Sequence, residues 1–361
     1  MSALAFTSIP WLPSFHVSAR AKTRLRNLSS FDGARHKIKF LSTQKDHLNG
    51  DLPAQRICVL SEDEGLSDAA RILAEALSIP YLSEDAIDTE WFSHTLTVVR
   101  YVAGSTEGTA IGIQSFGGDS GVKKNRKGRK NPLGTPFFVD FCPPEGSKLE
   151  RRTKGQSGTD LLVKAVGPGK LRSGGRNGAV IYDLTAGFGQ DSLILAQNGA
   201  SHVHMIERDP IVATLLQDAL DRLKLISGSD DARREVACEL VHRLTLQQGE
   251  SALAVKCVPS DIPPPDCIYL DPMFAPRTKS AAVKKNMQIL HGLLDSQDVD
   301  EIVMNDQEIE LLEAALEAAT SRVVVKRPIQ APPLGGSAYV SSRKASTEMK
   351  GTINRWDIYV K

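Results

Sequence analysis

From Ala179 onward the chain repeats one pattern: a short run that is apolar almost throughout, a turn, then a segment with helical spacing. The apolar runs are 179–184, 202–207, 267–271 and 322–326, and helical spacing occupies 192–196 and 211–225. A strand exposed on one face would alternate apolar and polar residues; these do not, so both of their faces are covered. The pattern predicts an α/β fold, a doubly wound sheet of parallel strands with helices on both sides. Such a fold collects ligands outside the carboxyl ends of its strands, where the strand order reverses. The residues just after each apolar run are therefore the candidates for chemistry.

Upstream of this region the pattern is different. Residues 56–60 read as a short strand, and Leu66, Ala69, Ala70, Leu73 and Leu77 share one helical face. Residues 95–102 and 137–141 read as further strands, separated by a glycine-rich basic loop at 117–131. A small N-terminal α+β lobe over 56–145 is expected, followed by a catalytic domain over 146–361.

Charge separates a third region. The chain carries 44 Lys and Arg against 43 Asp and Glu. Residues 1–50 alone hold eight basic residues and two acids, among Ser and Ala, with no apolar core of signal-peptide length. That is the composition of an organellar transit peptide, and its hydroxylated start points to a plastid rather than a mitochondrion. Without import the chain would be cytoplasmic. The remaining body is acidic, apart from the six positive charges packed into 123–130. No apolar run reaches the roughly 18–20 residues of a membrane span, so no membrane partner is expected, and a monomer is the default. Five scattered cysteines without a CxxC pair predict neither a disulfide framework nor a metal site.

The first candidate turn is Asp183-Leu184-Thr185-Ala186-Gly187-Phe188-Gly189, between an apolar run and a helix. Gly187 and Gly189 let the backbone approach a ligand. A nicotinamide fingerprint would place a third glycine where Ser192 stands. An acid four residues before the first glycine and no third glycine favour a cofactor without a pyrophosphate, S-adenosylmethionine. Glu207 ends the next strand, 20 residues beyond Gly187, where a carboxylate can accept ribose hydroxyls. Asp271-Pro272-Met273-Phe274 follows a later strand and looks like the [Asn/Asp]-Pro-Pro-[Tyr/Phe] signature of methyltransferases acting on exocyclic amino groups of nucleobases. Such a nitrogen is a poor nucleophile because it is conjugated with the ring. The Asp271 carboxylate can accept its N–H and favour a lone-pair-bearing geometry, and Phe274 can stack on the base.

These motifs, with Val139-Asp140-Phe141, Leu162-Val163-Lys164-Ala165-Val166-Gly167, Met205-Ile206-Glu207-Arg208-Asp209-Pro210, Lys279-Ser280-Ala281-Ala282-Val283-Lys284-Lys285, Val323-Val324-Val325-Lys326-Arg327-Pro328 and Asp357-Ile358-Tyr359, occur in one order across about residues 56–361. The chain resembles the ribosomal RNA small subunit methyltransferase J family. The resemblance implies a class I S-adenosylmethionine-dependent methyltransferase fold and methylation of a guanine N2 in bacterial-type small-subunit rRNA, as naked rRNA or in the small ribosomal subunit. It implies catalytic roles for Asp271, Pro272 and Phe274. Beside Asp183, Gly187 and Gly189 of the glycine turn, it implies cofactor contacts at Gln190, Asp191, Glu207, Arg208, Glu250, Ser251 and Asp271. The family usually has Arg at the position of Gln190 and Ser at that of Glu250, and insertions stand at 114–131 and about 226–235.

Lys279, Lys284, Lys285, Lys326 and Arg327 are the basic residues expected to meet RNA phosphates, which position a nucleic acid without reading it. The alternatives are adenine-N6 or protein glutamine methylation, a catalytically silent RNA-binding assembly factor, and a nicotinamide dehydrogenase. The last is disfavoured by Ser192 and gives no reason for the Asp-Pro-Met-Phe turn.

Overall fold

The computed structural model describes residues 57–83, 87, 92–115, 135–143, 145–153, 160–170, 177–272, 289, 293, 301–336 and 344–361. All belong to one compact unit, residues 57–361. The segments 1–50 and 117–131 singled out above lie outside the described residues.

Strands β1 (Ile57–Ser61), β2 (His94–Ala103) and β3 (Thr106–Ser115) form a small sheet in that order, β1 parallel and β3 antiparallel to β2. Helix α1 (Ser67–Leu77) follows β1. The sequence pattern does not announce β3, because Gly108 and Gly112 weaken its propensity. Pairing with β2 overrides that weakness, and Gly112 leaves room for the Phe138 ring, which a Cβ would meet at 2.8 Å. The strand expected at 137–141 is instead a single bridge between Phe137 and Ile113.

The remaining helices are α2 (Lys148–Thr153), α3 (Leu161–Val166), α4 (Gln190–Gln197), α5 (Pro210–Ser227), α6 (Arg234–Leu240), α7 (Ser251–Ala254) and α8 (Glu301–Ala318). They accompany a seven-stranded sheet of β4 (Val180–Asp183), β5 (His202–Glu207), β6 (Leu244–Gln248), β7 (Cys267–Leu270), β8 (Arg322–Pro328), β9 (Thr347–Lys350) and β10 (Asn354–Val360). Its order is β6-β5-β4-β7-β8-β10-β9. The first five strands are parallel, as expected, whereas β10 runs antiparallel to both β8 and β9. The chain moves outward from β4 to β6, then returns to β7 on the other side of β4. This reversal puts the switch point between β4 and β7.

The apolar strands now have a physical reason. Ile181, Val203, Met205, Tyr269 and Val324 belong to one core cluster, while Val180, Tyr182, Ile206, Ile268 and Val323 belong to the other. Alternate residues of one strand thus enter opposite cores, each large side chain contributing about 1.5–3 kcal/mol of burial. The first core continues into Val59, Leu96 and Ile113 of the small sheet. On α5, buried Asp218 pairs with Arg222 at 2.9 Å and accepts the Ile111 N–H at 3.0 Å, and Arg222 donates to the Val139 carbonyl. Those bonds lock β3 and the 137–141 segment to the larger sheet's own helix.

Candidate active site

At the switch point, β4 ends on Asp183, and the chain turns through Gly187 and Gly189 into α4. Both glycines have left-handed backbone conformations, φ 52° and 67°. A Cβ on Gly189 would stand 2.9 Å from the Phe141 ring and from a Leu216 methyl carbon, so a side chain there is opposed by both conformation and packing. Asp183 is 1% exposed and points beneath the turn. Its carboxylate accepts the Ser192 hydroxyl at 2.5 Å and the Thr185 N–H at 3.2 Å. Ser192 thus occupies the third glycine's place in order to hold the acid.

Glu207 ends β5 and reaches back across the same turn. It accepts the N–H of Gly187 at 2.8 Å and that of Asp209 at 2.9 Å. Asp209 in turn caps α5 through the N–H groups of Ile211 and Val212, with Pro210 at the first helical position. Burial pushes both Asp183 and Glu207 up to about 7, against the opposing pull of these hydrogen bonds. Ser251, at the start of α7, donates to the Leu184 carbonyl and closes the turn from the β6 side. Four carboxylates, Asp183, Glu207, Asp191 and Asp271, therefore surround or underlie one crevice.

The second half of the crevice is assembled by β7 and β8. Their register pairs Leu270 with Val325, so Asp271 and Lys326 follow side by side. The Lys326 ammonium lies 2.6 Å from Asp271 and 2.8 Å from Asp191. Tyr269 donates its hydroxyl to Asp191 at 2.7 Å, and the Asp271 N–H donates to the Thr185 hydroxyl at 2.6 Å. Burial alone would lower Lys326, but the two carboxylates outweigh it and raise the ammonium above its ordinary range. Burial and the neighbouring carboxylates push the Tyr269 phenol well up, so it remains a donor. Asp271 is raised by burial despite the opposing charge of Lys326.

Among the sequence-expected cofactor residues, Asp183, Gly187, Gly189, Asp191, Glu207, Ser251 and Asp271 converge on this edge. Gln190 opens α4 and is half-buried. Arg208 and Glu250 form an exposed pair at 4.0 Å beyond the ends of β5 and β6. Pro272 follows Asp271 and is half-buried. Phe274, Lys279, Lys284 and Lys285 lie outside the described residues. Two expectations are corrected. Lys326 is not a surface phosphate contact but the bridge between two carboxylates. Arg327 is buried, donating to Glu308 at 3.1 Å and to the Pro332 carbonyl at 2.9 Å. Both sit on a strand buried in the sheet, where a charged side chain needs a partner. Sequence reasoning also missed Tyr269, Thr185 and the structural work of Ser192; the parallel register of β7 and β8 is the signal that would have joined Lys326 to Asp271.

Comparison with known proteins agrees with this geometry. Residues 122–361 match the family model described as "Putative SAM-dependent methyltransferase". The chain is 38% identical to ribosomal RNA small subunit methyltransferase J of Dechloromonas aromatica over 226 residues, 63% of this chain and 79% of that protein. It is 32% identical to the protein of the same name from Pseudomonas aeruginosa strain LESB58 over 312 residues, 86% of this chain and 97% of the relative. The solved structure of a SAM-dependent methyltransferase from Neisseria gonorrhoeae aligns with 84% of this chain and 95% of its own, at TM-score 0.52 and 23% identity, a likeness of fold.

S-adenosylmethionine is the cofactor, and the donor set suits it. A crevice of carboxylates repels a pyrophosphate but accommodates a ligand bearing a sulfonium and an ammonium. Lys326 and Arg208, the described cations at this edge, are each paired with a carboxylate. By fold, by this acidic glycine-turn crevice and by sequence, the chain belongs to the ribosomal RNA small subunit methyltransferase J family of S-adenosylmethionine-dependent methyltransferases.

Proposed function

We propose that this chain methylates small-subunit ribosomal RNA of the bacterial type, at the exocyclic N2 of a guanine. The observation that carries the reading is Asp271, held at the end of β7 beside the glycine turn, with Lys326 engaging its Oδ2. Among the described residues no hydrogen bond is made by its Oδ1, and the side chain is 35% exposed at the sheet edge. That oxygen is an acceptor for an amino N–H.

S-adenosylmethionine, when bound, supplies an electrophilic methyl group on sulfur. Glu207, Asp191 and the turn from Asp183 to Gly189 would hold it. Asp271 would accept one N–H of the guanine amino group, turning the nitrogen lone pair out of conjugation and toward the methyl. After transfer, the proton leaves the nitrogen to Asp271 or to water, so no histidine base is required. Orientation in one crevice contributes much of the rate. Phe274 remains the candidate for stacking on the base, and Lys279, Lys284, Lys285 and the 117–131 segment the candidates for RNA phosphates.

The composition of 1–50 supports an organellar address, the plastid first. Import into isolated chloroplasts with removal of this segment is the expected outcome; processing by mitochondria alone would reassign it. For the activity, the test is incubation of the protein with labelled S-adenosylmethionine and bacterial-type small subunits or naked rRNA, with nucleoside analysis and mapping of the label. N2-methylguanosine in small-subunit rRNA is expected. Label in adenine N6 or in protein would replace the substrate, and binding of RNA without label would favour an assembly factor.

A further inference from the structure

Lys326 has no part in the reading of the sequence beyond a surface charge, yet the structure puts it at the centre of the site. Its side chain is only 20% exposed, and its ammonium is shared between two carboxylates that arrive on different elements, Asp191 on α4 and Asp271 after β7. Without that cation, two carboxylates converging on one ammonium position would oppose each other's ionisation. A protonated Asp271 is a weaker acceptor for an amino N–H than the carboxylate and cannot take up the proton released after transfer. The ammonium also fixes which oxygen is used, because it engages Oδ2 of Asp271. Asp191 Oδ2 is pinned in turn by the Tyr269 hydroxyl and Lys326.

We propose, building on the amino-methylation reading above, that Lys326 is the positioning residue of the transfer step: it holds Asp271 charged beside Asp191 and turns the other Asp271 oxygen toward the substrate amino group. It acts through Asp271 and does not touch the reacting atoms. Among the described residues, the charged or titratable groups acting on Asp271 are Asp183 from β4, Asp191 from α4, Tyr269 from its own strand, and Lys326 and Arg327 from β8. Arg327 is already committed to Glu308, so Lys326 is the cation within hydrogen-bond reach. A nearby opposite charge lowers a carboxylate's pKa by about 1–3 units. That opposes the rise caused by burial.

The test uses the full-length protein with Lys326→Gln, which keeps donors toward both carboxylates and removes the charge, and Lys326→Arg, which keeps the charge. Carbon-13 NMR of labelled aspartate, with the Asp271 signal assigned by its loss in Asp271→Asn, reads the ionisation directly. In Lys326→Gln the Asp271 titration is expected to move up by about 1–3 pH units, and in Lys326→Arg to stay close to wild type. The acid limb of the turnover profile should follow it, with turnover below the limb falling about tenfold for each pH unit it moves. An unmoved Asp271 titration in Lys326→Gln would overturn the proposal, as would an equal movement in Lys326→Arg. The NMR readout needs no substrate. Failure of the wild-type protein to methylate rRNA would therefore count against the proposed function while leaving this result to stand or fall by itself.

Discussion

The two halves of the crevice treat their carboxylates in opposite ways. Around the glycine turn, Asp183 and Glu207 are satisfied by neutral donors: the Ser192 hydroxyl and the N–H groups of Thr185, Gly187 and Asp209. At the ends of β7 and β8, Asp271 shares a cation, Lys326, with Asp191 of α4, which also accepts the Tyr269 hydroxyl. Neutral donors do not cancel the cost of burial, so the first pair is pushed up to about 7; burial raises Asp271 as well, but there the charge of Lys326 opposes the rise. The two halves divide the labour. The turn half is a preformed cradle whose acids are built into the backbone, whereas the strand-end half keeps one carboxylate oxygen charged and available.

The strongest way to break the cradle is Gly189→Ala. Left-handed backbone costs a residue with a Cβ about 1–2 kcal/mol, and overpacking against Phe141 and Leu216 adds about 1–3 kcal/mol. A marked drop in the urea midpoint is expected, together with weaker binding of S-adenosylmethionine; an unchanged midpoint would mean that the turn relaxes freely. Ser192→Ala comes next. It leaves a fully buried Asp183 oxygen without its donor, costing about 1–3 kcal/mol, and chemical denaturation measures it. Asp271 chemistry should survive this change in the fraction that remains folded.

The smallest effect is a pH dependence of cofactor binding. Ribose hydroxyls donate to the ionised form of Glu207, but burial favours the protonated form below about 7. Binding therefore releases a proton, and affinity should fall on acidification from pH 8 to 6, approaching about tenfold per pH unit below the folded-state value. Calorimetry would check it, and Glu207→Gln should flatten the profile. For the ligand-free fold the sign is the same as for any raised acid: the stabilisation is present below the ordinary carboxylate range and is lost as pH rises through about 7.

The cradle was legible in the sequence because its parts are close along the chain. Asp183, Gly187, Gly189 and Ser192 lie within one strand-turn-helix, and Glu207 one βαβ unit later, so spacing alone implied a common site. The apolar runs gave β4, β5, β7 and β8 for the same local reason. The strand-end half was legible only in Asp271. Lys326 is 55 residues from Asp271 and 135 from Asp191, and nothing local distinguishes it from a surface lysine; only the sheet register puts it there. Arg327 misled for the same reason, since its partner Glu308 comes from α8. Likewise β3 was hidden by its glycines, and the antiparallel β10 by the absence of any local sign of strand direction.

The division of labour is tested most directly by measuring cofactor affinity and single-turnover methyl transfer side by side in Asp271→Ala and Glu207→Gln. Asp271→Ala, which removes the acceptor altogether, should lower transfer to small-subunit rRNA by about 10²–10³-fold, the scale of losing one electrostatic catalytic group, while its affinity for S-adenosylmethionine falls much less. Glu207→Gln should show the reverse, weak binding with transfer largely restored at saturating cofactor. Near-normal transfer by Asp271→Ala would take Asp271 out of the transfer step.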